Sequence, residues 1–339
     1  MKKIKTLLIG LGRIASKLEL DPYRNHPCTH AGVLLSAFGK KYFSLEAVAD
    51  TDPEKVFEFF KQWKIKNNSV ISFTKLESSI DFDLAIIASN SESHYRNLEQ
   101  VAKLGIKNIL IEKPICLNEN EFTKIKNLQK KFQLNLWINH ERRYHPFYQY
   151  VKNRIWNKLD GELRTIKASV LTNFRDPGNA FKTFGGPLFH DGTHAIDFID
   201  FLVESKPISI FSKLNRANKN SEVEEQALAV LEYKNGVNAF LEVGGRRNYF
   251  QFEIDVQTAN ARYILSNDGH KIFITKKSKL YKGFQSLQEI KIPSLKGNPW
   301  LNLYKEIESV INGKTQEITG SLSVNERIFY TLDQIQNLG

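Results

Sequence analysis

The sequence has 339 residues, of which 41% are hydrophobic and 25% are charged, and such values are typical of a globular protein long enough for two domains. It contains no apolar run near the roughly 20 residues that a membrane span requires, so we expect a soluble protein. The net charge of +11 comes from lysines and arginines spread along the chain without a basic block, which argues against nucleic-acid binding.

The first third of the chain alternates short apolar runs with amphipathic stretches. The N-terminal run follows two lysines, as in a signal peptide, but Lys5 interrupts it and a glycine turn ends it, so we interpret it as a first strand. Short runs rich in Ile, Leu, Val and Ala are typical of parallel strands that are covered on both faces. The predicted strands are Ile4–Ile9, Leu45–Ala49, Leu84–Ala88, Ile109–Ile111 and Leu134–Ile138, with helices starting at Pro53 and covering His94–Leu104 and Glu119–Phe132.

After Pro146 the pattern changes to longer alternating segments rich in β-branched and aromatic residues, which predict antiparallel strands. Asn235-Gly236 predicts a two-residue hairpin with a type I′ turn, because both central positions of that turn need positive φ. The predicted strands are Leu163–Leu171, Ala227–Tyr233, Val237–Val243 and Phe250–Gln257, and the predicted helices lie near Asp191–Leu202, Pro299–Ile311 and Ser323–Gln336.

This change of pattern predicts two domains, a dinucleotide-binding domain over residues 1–140 and a substrate-binding domain over residues 141–339. The first is an α/β domain with a doubly wound parallel sheet. The second is mostly sheet, and its C-terminal helices are able to pack back on the first domain.

A glycine-rich turn directly follows the first predicted strand and resembles the dinucleotide-binding fingerprint. The first glycine permits a tight turn, the second lets the backbone approach a pyrophosphate, and a small third residue allows a helix to pack closely on the strand. The N–H groups at the start of that helix then face the phosphates. The alternative is a turn that only ends a strand. The residues expected to contact the cofactor are Gly10, Gly12, Arg13, Ile14 and Ala15.

Asp50 ends the second predicted strand, where the adenosine ribose hydroxyls of a dinucleotide would lie. A carboxylate there favours NAD and disfavours NADP, whose 2′-phosphate it would repel. Asp50 lies much farther from the glycines than the usual spacing of roughly 20 residues. The segment Leu20–Gly32 is therefore an insertion, either a surface loop or one that reaches over a ligand.

Lys113 stands at the carboxyl end of a buried strand, which is where ligands bind in an open parallel sheet. Its ammonium group is suited to hydrogen-bonding a reacting hydroxyl and stabilising the charge that develops on its oxygen. Pro114 restricts Lys113 to extended backbone, and the bond between them has an accessible cis form. The alternative is a strand-end lysine paired with a carboxylate.

The densest polar cluster runs from His190 to Asp197. In the redox interpretation His194 is the general base that takes the hydroxyl proton, and Asp197 orients it. The spacing of His190, Asp191 and His194 also imitates a zinc-protease motif, but glycines precede it and no third ligand is evident. Histidines that only bond nearby backbone at a helix start are a third possibility.

The two cysteines, Cys28 and Cys116, are far apart and belong to no metal-binding motif. We therefore expect no disulfide, no metal site and a reducing, cytoplasmic location.

Together these motifs resemble the glucose-fructose oxidoreductase / inositol dehydrogenase family, GFO/IDH/MocA. The resemblance covers nearly the whole chain and implies a Rossmann domain followed by an α+β domain with a large, mostly antiparallel open sheet that forms a homodimer or homotetramer. It implies that Lys113 and His194 are catalytic, with His190, Asp191 and Asp197 in the proton path. It also implies cofactor contacts at Ser89, Asn90, His94 and Glu112, and substrate contacts at Arg143, Tyr144, Arg175 and His190.

The chain departs from the family pattern at three places. The family has Asp four residues before the catalytic His, where this sequence has His190, followed by Asp191. Ser89-Asn90 replaces a proline after the fourth strand, and Thr258–Ala261 replaces a glycine pair. The first departure leaves two candidates for the missing Asp, whereas the others concern loop shape.

We therefore expect an NAD-dependent oxidoreductase that transfers a hydride between nicotinamide and a sugar carbon bearing a hydroxyl, with the substrate held between Lys113 and the segment Arg175–Asp197. Five arginines suit a phosphate or carboxylate and favour a nucleotide-linked sugar: Arg142, Arg143, Arg175, Arg246 and Arg247. A free sugar or cyclitol is the second choice. Other functions considered are a non-catalytic dinucleotide sensor and, as the least favoured, a zinc hydrolase.

Overall fold

The computed structural model of the chain describes residues 2–65, 71–73, 81–172, 185–217, 221, 223–245 and 247–339. The chain forms two compact units, each made of two segments. Unit 1 comprises Met1–His145 and Gly297–Asn325, and unit 2 comprises Pro146–Lys296 and Glu326–Gly339. In the described ranges, every helix is too short or too polar to cross a bilayer.

Unit 1 is built around a six-stranded sheet in which all neighbouring strands are parallel. The central strands are buried on both faces, as their continuous apolar sequences require. The strand order is β3-β2-β1-β4-β5-β6, so the order reverses at β1 and β4. The strands are β1 (Ile4–Ile9), β2 (Phe43–Ala49), β3 (Ile71–Phe73), β4 (Leu84–Ile87), β5 (Asn108–Glu112) and β6 (Asn135–Asn139).

Most helices of unit 1 begin at a side chain that accepts a hydrogen bond from one of the first free N–H groups. Thr29, Ser36, Asp52 and Asn118 cap four of them in this way. The helices before the domain junction are α1 (His30–Leu35), α2 (Ala37–Tyr42), α3 (Pro53–Trp63), α4 (His94–Lys103) and α5 (Glu119–Phe132), with short 3-10 turns at Lys17–Leu20, Ser91–Ser93 and Glu141–Tyr144.

Unit 1 also contains a helix from the C-terminal part of the chain, Pro299–Ile311, which is numbered α8 below. Its apolar face, including Trp300 and Tyr304, joins the same hydrophobic core as Phe43 of β2. The carboxylate of Glu306 on this helix accepts hydrogen bonds from the Tyr144 hydroxyl (2.8 Å) and the Trp137 indole N–H (3.2 Å). These contacts group residues 297–325 with the first unit. The sequence division places them in residues 141–339, with C-terminal helices that are able to pack back on the first domain.

Unit 2 is built around an open eight-stranded sheet in the order β14-β13-β12-β11-β7-β10-β9-β8. β7 and β10 are parallel and the other neighbours are antiparallel. Buried and exposed residues alternate along β9 and β10, so one face is covered. The strands are β7 (Leu163–Leu171), β8 (Ser209–Asn215), β9 (Gln226–Glu232), β10 (Asn238–Gly244), β11 (Gln251–Thr258), β12 (Ala261–Ser266), β13 (Lys271–Lys277) and β14 (Gln285–Ile290).

Among the described residues of unit 2, three helices accompany the sheet: α6 (Pro146–Trp156), α7 (Thr193–Val203) and most of α9 (Leu322–Leu338). Most residues of α7 are buried, and Phe198 packs against Tyr148 of α6 with ring centroids 4.9 Å apart. Asp200 of α7, 4% exposed, accepts two hydrogen bonds from the Arg327 guanidinium of α9 at 2.6 and 2.9 Å. This two-point ion pair fixes how α7 and α9 pack.

The predicted fold class is confirmed: a parallel Rossmann sheet precedes a large, mostly antiparallel sheet. The type I′ turn was wrong, because within Asn235-Gly236 only Gly236 has positive φ. The Asn235 side chain instead accepts a hydrogen bond from the N–H of Val237, which stabilises a longer turn.

Candidate active site

The glycine turn lies where β1 ends, at the carboxyl edge of the unit 1 sheet. Gly10 has φ +84°, and a Cβ there would stand 2.7 Å from the backbone of Ala88 and Ser89. At Gly12 an added Cβ would meet nothing within 4 Å. Gly10 is thus required by the fold itself, whereas Gly12 leaves an open backbone surface of the kind a pyrophosphate needs.

The helix predicted after this turn is not a regular α-helix. Arg13–Ser16 form turns, and Lys17–Leu20 form a 3-10 helix. The N–H of Leu18 bonds to the carbonyl of Arg13, one residue farther back than in an α-helix. Ser16 is held by the end of α3, since its hydroxyl donates to Gln62 and accepts from the Trp63 indole N–H. Arg13 is exposed, Ile14 is partly buried and Ala15 is fully buried.

Asp50 follows β2 and is bound to the glycine turn. Its carboxylate accepts from the N–H of Leu11 at 2.8 Å and from the N–H of Asp52 at 2.9 Å. Lys55 lies 3.9 Å from it. Asp50 therefore fixes the shape of the turn between Gly10 and Gly12, and the preference for NAD over NADP stays a prediction.

The segment after β4 carries three residues predicted to contact the cofactor, Ser89, Asn90 and His94, and of these His94 is buried. Ser89 accepts hydrogen bonds from Ser93 and Asn97. His94 is 1% exposed, and its ring lies between the carbonyls of Ser89 (3.0 Å) and Pro114 (2.9 Å). Burial lowers the pKa of His94 from its usual 6.5, and the hydrogen bonds to the two carbonyls oppose this shift. His94 thus joins the two loops that follow β4 and β5, while Asn90 is exposed.

Glu112, the last residue of β5, is buried in a chain of hydrogen bonds. It accepts from Asn139 at 2.5 Å and is 2.9 Å from His30, whose other ring nitrogen is 2.8 Å from the hydroxyl of Tyr304. Burial raises the pKa of Glu112, but these hydrogen bonds, together with the charges of His30 and Lys113, hold it below 4.5. Glu112 is therefore a buried carboxylate, placed directly before the lysine.

Lys113 is partly buried at the carboxyl end of β5, and the bond to Pro114 is cis. Because all six strands are parallel, the residues that follow β1, β2 and β5 lie along one edge of the sheet. Unit 1 thus brings the glycine turn, Asp50 and Lys113 to the same edge.

Two residues predicted to bind substrate are interior residues of unit 1. Arg143 is 3% exposed and Tyr144 is 5% exposed. The Tyr144 hydroxyl donates to Glu306, and burial raises the pKa of Tyr144 well above 10. Tyr144 is thus bonded within unit 1, and the substrate contacts of Arg143 and Tyr144 stay predictions. Arg175 lies outside the described residues.

In unit 2 the predicted proton-transfer residues lie at the start of α7. His190 and Asp191 belong to a wide π-helical turn, Leu188–Gly192, that leads directly into the helix. His190 was expected to precede the helix, but it lies within this helical turn. His190 Nδ1 and Asp191 Oδ1 are 2.8 Å apart. His194 lies in the first turn of α7 and faces the ring of Phe252 at 6.5 Å, and Asp197 is 1% exposed. Wide turns of this kind often occur at functional sites.

The remaining arginines expected to bind an anion differ in their surroundings. Arg247 contacts the Glu242 carboxylate at 2.9 Å, and Arg142 is 3.6 Å from that of Glu141. Arg246 lies outside the described residues. Arg247 and Arg142 thus have acidic neighbours on the chain itself.

Sequence reasoning missed His30 and Asn139, which bond the Glu112 carboxylate, and Tyr304, which bonds His30. His30 lies in the insertion and Tyr304 near the C-terminus, 274 residues apart. A single sequence carries no sign of such contacts. Only the polarity of Asn139 at the end of an apolar strand was visible.

Substitution of Gly10 and of Gly12 by alanine should cause two different defects. Gly10→Ala should destabilise the protein by about 2 kcal/mol or more, because it combines positive φ with a backbone clash. Gly12→Ala should keep the wild-type free energy of unfolding but weaken NADH binding about tenfold or more, because its methyl group fills the space for the pyrophosphate. Urea unfolding and NADH fluorescence titration measure the two effects. Equal NADH affinity of Gly12→Ala and wild type would contradict this assignment.

The low pKa of Glu112 predicts a pH dependence. A carboxylate with a depressed pKa stabilises the fold at any pH above its pKa in the unfolded state, which is near 4.5. This stabilisation is lost as the pH falls through its pKa in the folded state. Glu112→Gln should cost about 1–3 kcal/mol at pH 7, and the difference from wild type should shrink below pH 4.5. Urea unfolding between pH 3 and 7 measures this, with Glu119→Gln on the exposed start of α5 as control. A difference independent of pH would show that the charge of Glu112 is not involved.

Comparison with family models gives two matches along the chain. A model described as an oxidoreductase family with an NAD-binding Rossmann fold matches residues 4–140. The model of the GFO/IDH/MocA C-terminal domain matches residues 148–263. The two matches together cover more than half of the chain.

An uncharacterized oxidoreductase of Synechocystis sp. is 27% identical over 146 residues, which are 40% of this chain and 39% of the relative. The first curated relatives are thus matched over less than half of their own length.

Two solved structures share the fold over nearly their whole length. The UDP-N-acetylglucosamine 3-dehydrogenase GnnA from Acidithiobacillus ferrooxidans is 16% identical, with a TM-score of 0.78 over 100% of this chain and 98% of that chain. The WlbA dehydrogenase from Bordetella pertussis, in complex with NADH and UDP-GlcNAcA, is 17% identical, with a TM-score of 0.75 over 99% of this chain and 96% of that chain. The matched family models and this shared fold lead to one conclusion: the chain belongs to the GFO/IDH/MocA family of oxidoreductases, and its N-terminal part is an NAD-binding Rossmann fold.

Proposed function

We propose that the protein transfers a hydride between NAD and a hydroxyl-bearing carbon of a sugar, and that the substrate is a nucleotide-linked sugar. One observation carries the proposal: the glycine turn, Asp50 and Lys113 share the carboxyl edge of one parallel sheet. The glycine turn and Asp50 suit a dinucleotide, and a cation at the end of β5 suits the polarised oxygen of a substrate.

Lys113 is assigned to the reacting oxygen. In the oxidation direction its ammonium group donates a hydrogen bond to the hydroxyl and stabilises the negative charge that grows on oxygen as the proton leaves. When bound, NAD supplies the hydride acceptor. Glu112 and His94 act as positioning residues, since the first is held in place by His30 and Asn139 and the second bonds the carbonyl of Pro114.

His194 is assigned as the base that takes the hydroxyl proton, and Asp197 is assigned to orient its ring. His190 and Asp191 stand where the family pattern has one Asp. Their contact at 2.8 Å supports treating them as a pair in which the Asp191 carboxylate holds the His190 imidazole toward substrate. The wide turn that carries His190 and Asp191 displaces them relative to a regular helix. This supports the proposal that the two residues together replace the Asp of the family pattern.

The substrate class is supported by chemistry and by structural relatives. WlbA was crystallised with UDP-GlcNAcA, and GnnA is named for a UDP-linked sugar. Arg142 and Arg175 suit the diphosphate of such a substrate, because planar guanidinium groups bind phosphate oxygens in pairs.

A free sugar or cyclitol is the second candidate, and a specific observation favours it. Arg247 is already paired with Glu242, and Arg143 is almost wholly buried, which reduces the number of arginines open to a diphosphate. A screen that sets UDP-sugars against the free sugars distinguishes the two candidates.

We also propose a cytoplasmic homodimer or homotetramer that assembles through the sheet of unit 2. Phe211 and Phe240 flank Val230 in register on neighbouring strands, and they are 68% and 43% exposed. Large aromatic side chains exposed on one sheet face are typical of a subunit interface.

The Lys113→Ala variant tests the catalytic assignment. It should lower kcat by about 10²–10⁴-fold on the best substrate of the screen, because an electrostatic stabiliser and proton-transfer partner is lost. The Kd for NADH should stay within about threefold of wild type. NADH formation at 340 nm and fluorescence titration measure these quantities, with Lys103→Ala, at an exposed position at the end of α4, as control. Wild-type turnover of Lys113→Ala would refute the mechanism, and NADH binding without turnover of any sugar would favour the sensor alternative.

A further inference from the structure

Three side chains with metal-binding atoms converge in the insertion that follows the glycine turn. Atoms of Glu19, His26 and Cys28 lie within 4.8 Å of one another. His26 Nδ1 is 3.1 Å from Glu19 Oε1 and 3.7 Å from Cys28 Sγ. Cys28 is 7% exposed, whereas the His26 side chain is 37% exposed, so the cluster has a buried and a solvent-facing side.

These separations fit the edges of a tetrahedron around one small ion. Zinc binds imidazole nitrogen and carboxylate oxygen at about 2.0–2.2 Å and thiolate sulfur at about 2.3 Å, so its tetrahedral ligands lie roughly 3.3–3.6 Å apart. The observed distances of 3.1 and 3.7 Å bracket that range. The third edge, between the ligand atoms of Cys28 and Glu19, is at most 4.8 Å.

The imidazole of His26 is already oriented as a metal ligand. Its Nε2 is 2.9 Å from the carbonyl oxygen of Asp21, which only accepts hydrogen bonds, so the ring proton belongs on Nε2. Nδ1 of the neutral ring then directs a lone pair at Glu19 Oε1. Two acceptors at this distance repel each other unless a second proton or a cation lies between them. Metal-bound histidines typically donate their other N–H to a carbonyl in this way.

The Glu19 carboxylate is fixed by its neighbours as well. Its Oε2 accepts from the Thr29 hydroxyl at 2.7 Å and from the N–H of Cys28 at 3.0 Å, which leaves Oε1 directed at His26. Such outer contacts hold a ligand in place before the ion arrives.

We propose that Glu19, His26 and Cys28 bind one zinc ion, with water as the fourth ligand on the exposed side of His26. A thiolate together with an imidazole favours zinc over calcium or magnesium. The charges of the Cys28 thiolate and the Glu19 carboxylate balance those of the ion. Binding forms a Zn–S bond and releases the Cys28 S–H proton to solvent.

The ion would fix the insertion against the rest of unit 1. It connects Glu19, at the end of the glycine-turn segment, to Cys28, two residues before His30, which contacts Glu112. The Asn298 side chain also donates to the carbonyl of Pro27 at 3.0 Å. The zinc site thus has a structural role that is independent of the proposed redox chemistry.

Zinc content and cobalt spectra of the full chain test the site. After incubation with ZnSO₄ and desalting, wild type should retain about one zinc per chain. Cys28→Ser and His26→Gln should each weaken zinc binding about 100-fold or more, because loss of a direct ligand exceeds the roughly 10–100-fold effect of losing an outer contact. Co²⁺ in place of zinc should give a thiolate-to-cobalt absorption band that Cys28→Ser lacks.

Two control variants locate the ion. Cys116→Ser removes the other buried cysteine, and His194→Gln removes the histidine of the zinc-protease-like segment, and both should bind zinc as wild type does. Zinc should raise the Tm of wild type by about 5 °C and leave that of His26→Gln unchanged. The proposal is overturned if wild type retains no zinc and gives no cobalt band. It is equally overturned if His194→Gln abolishes binding while Cys28→Ser does not.

Discussion

The unit 1 site depends on one buried carboxylate, Glu112. A charge at this depth is costly unless hydrogen bonds replace its lost water, and breaking one partner of such a group typically costs more than a surface contact gains. Asn139 and His30 supply those bonds, and Tyr304 supports His30 from the other side. The carboxylate in turn fixes the end of β5, from which Lys113 projects. The position of the proposed catalytic cation therefore depends on residues that are themselves fully buried.

This dependence explains why unit 1 is discontinuous in sequence. The His30 ring comes from the insertion between the glycine turn and β2, and Tyr304 comes from α8, close to the C-terminus. Glu306 of the same helix holds Tyr144 and Trp137, so α8 serves both the hydrophobic core and the polar network. In unit 2 the ion pair of Asp200 with Arg327 connects α7 to the last helix in a similar way.

Much of the architecture was predictable because local pattern determines it. Buried parallel strands, amphipathic helices and the glycine turn each leave a periodic or compositional sign, and Glu119–Phe132 and Leu163–Leu171 were predicted to the residue. Features set by distant partners were not predictable. The irregular turns after Gly12 involve Gln62 and Trp63, which hold Ser16, and the hydroxyl of Tyr144 is bound by Glu306, 162 residues away. The cluster of Glu19, His26 and Cys28 was missed because its spacing matches no known motif, although its members are close in sequence.

The central claim is that a sugar carbon bearing a hydroxyl gives its hydrogen directly to the cofactor bound on unit 1. The most direct measurement uses a UDP-sugar deuterated at each ring carbon in turn, incubated with the protein and NAD⁺, with mass spectrometry of the NADH formed. The account predicts one deuterium per NADH from a single carbon and none from the others. NADH without deuterium from any position, or label appearing only in solvent, would contradict it.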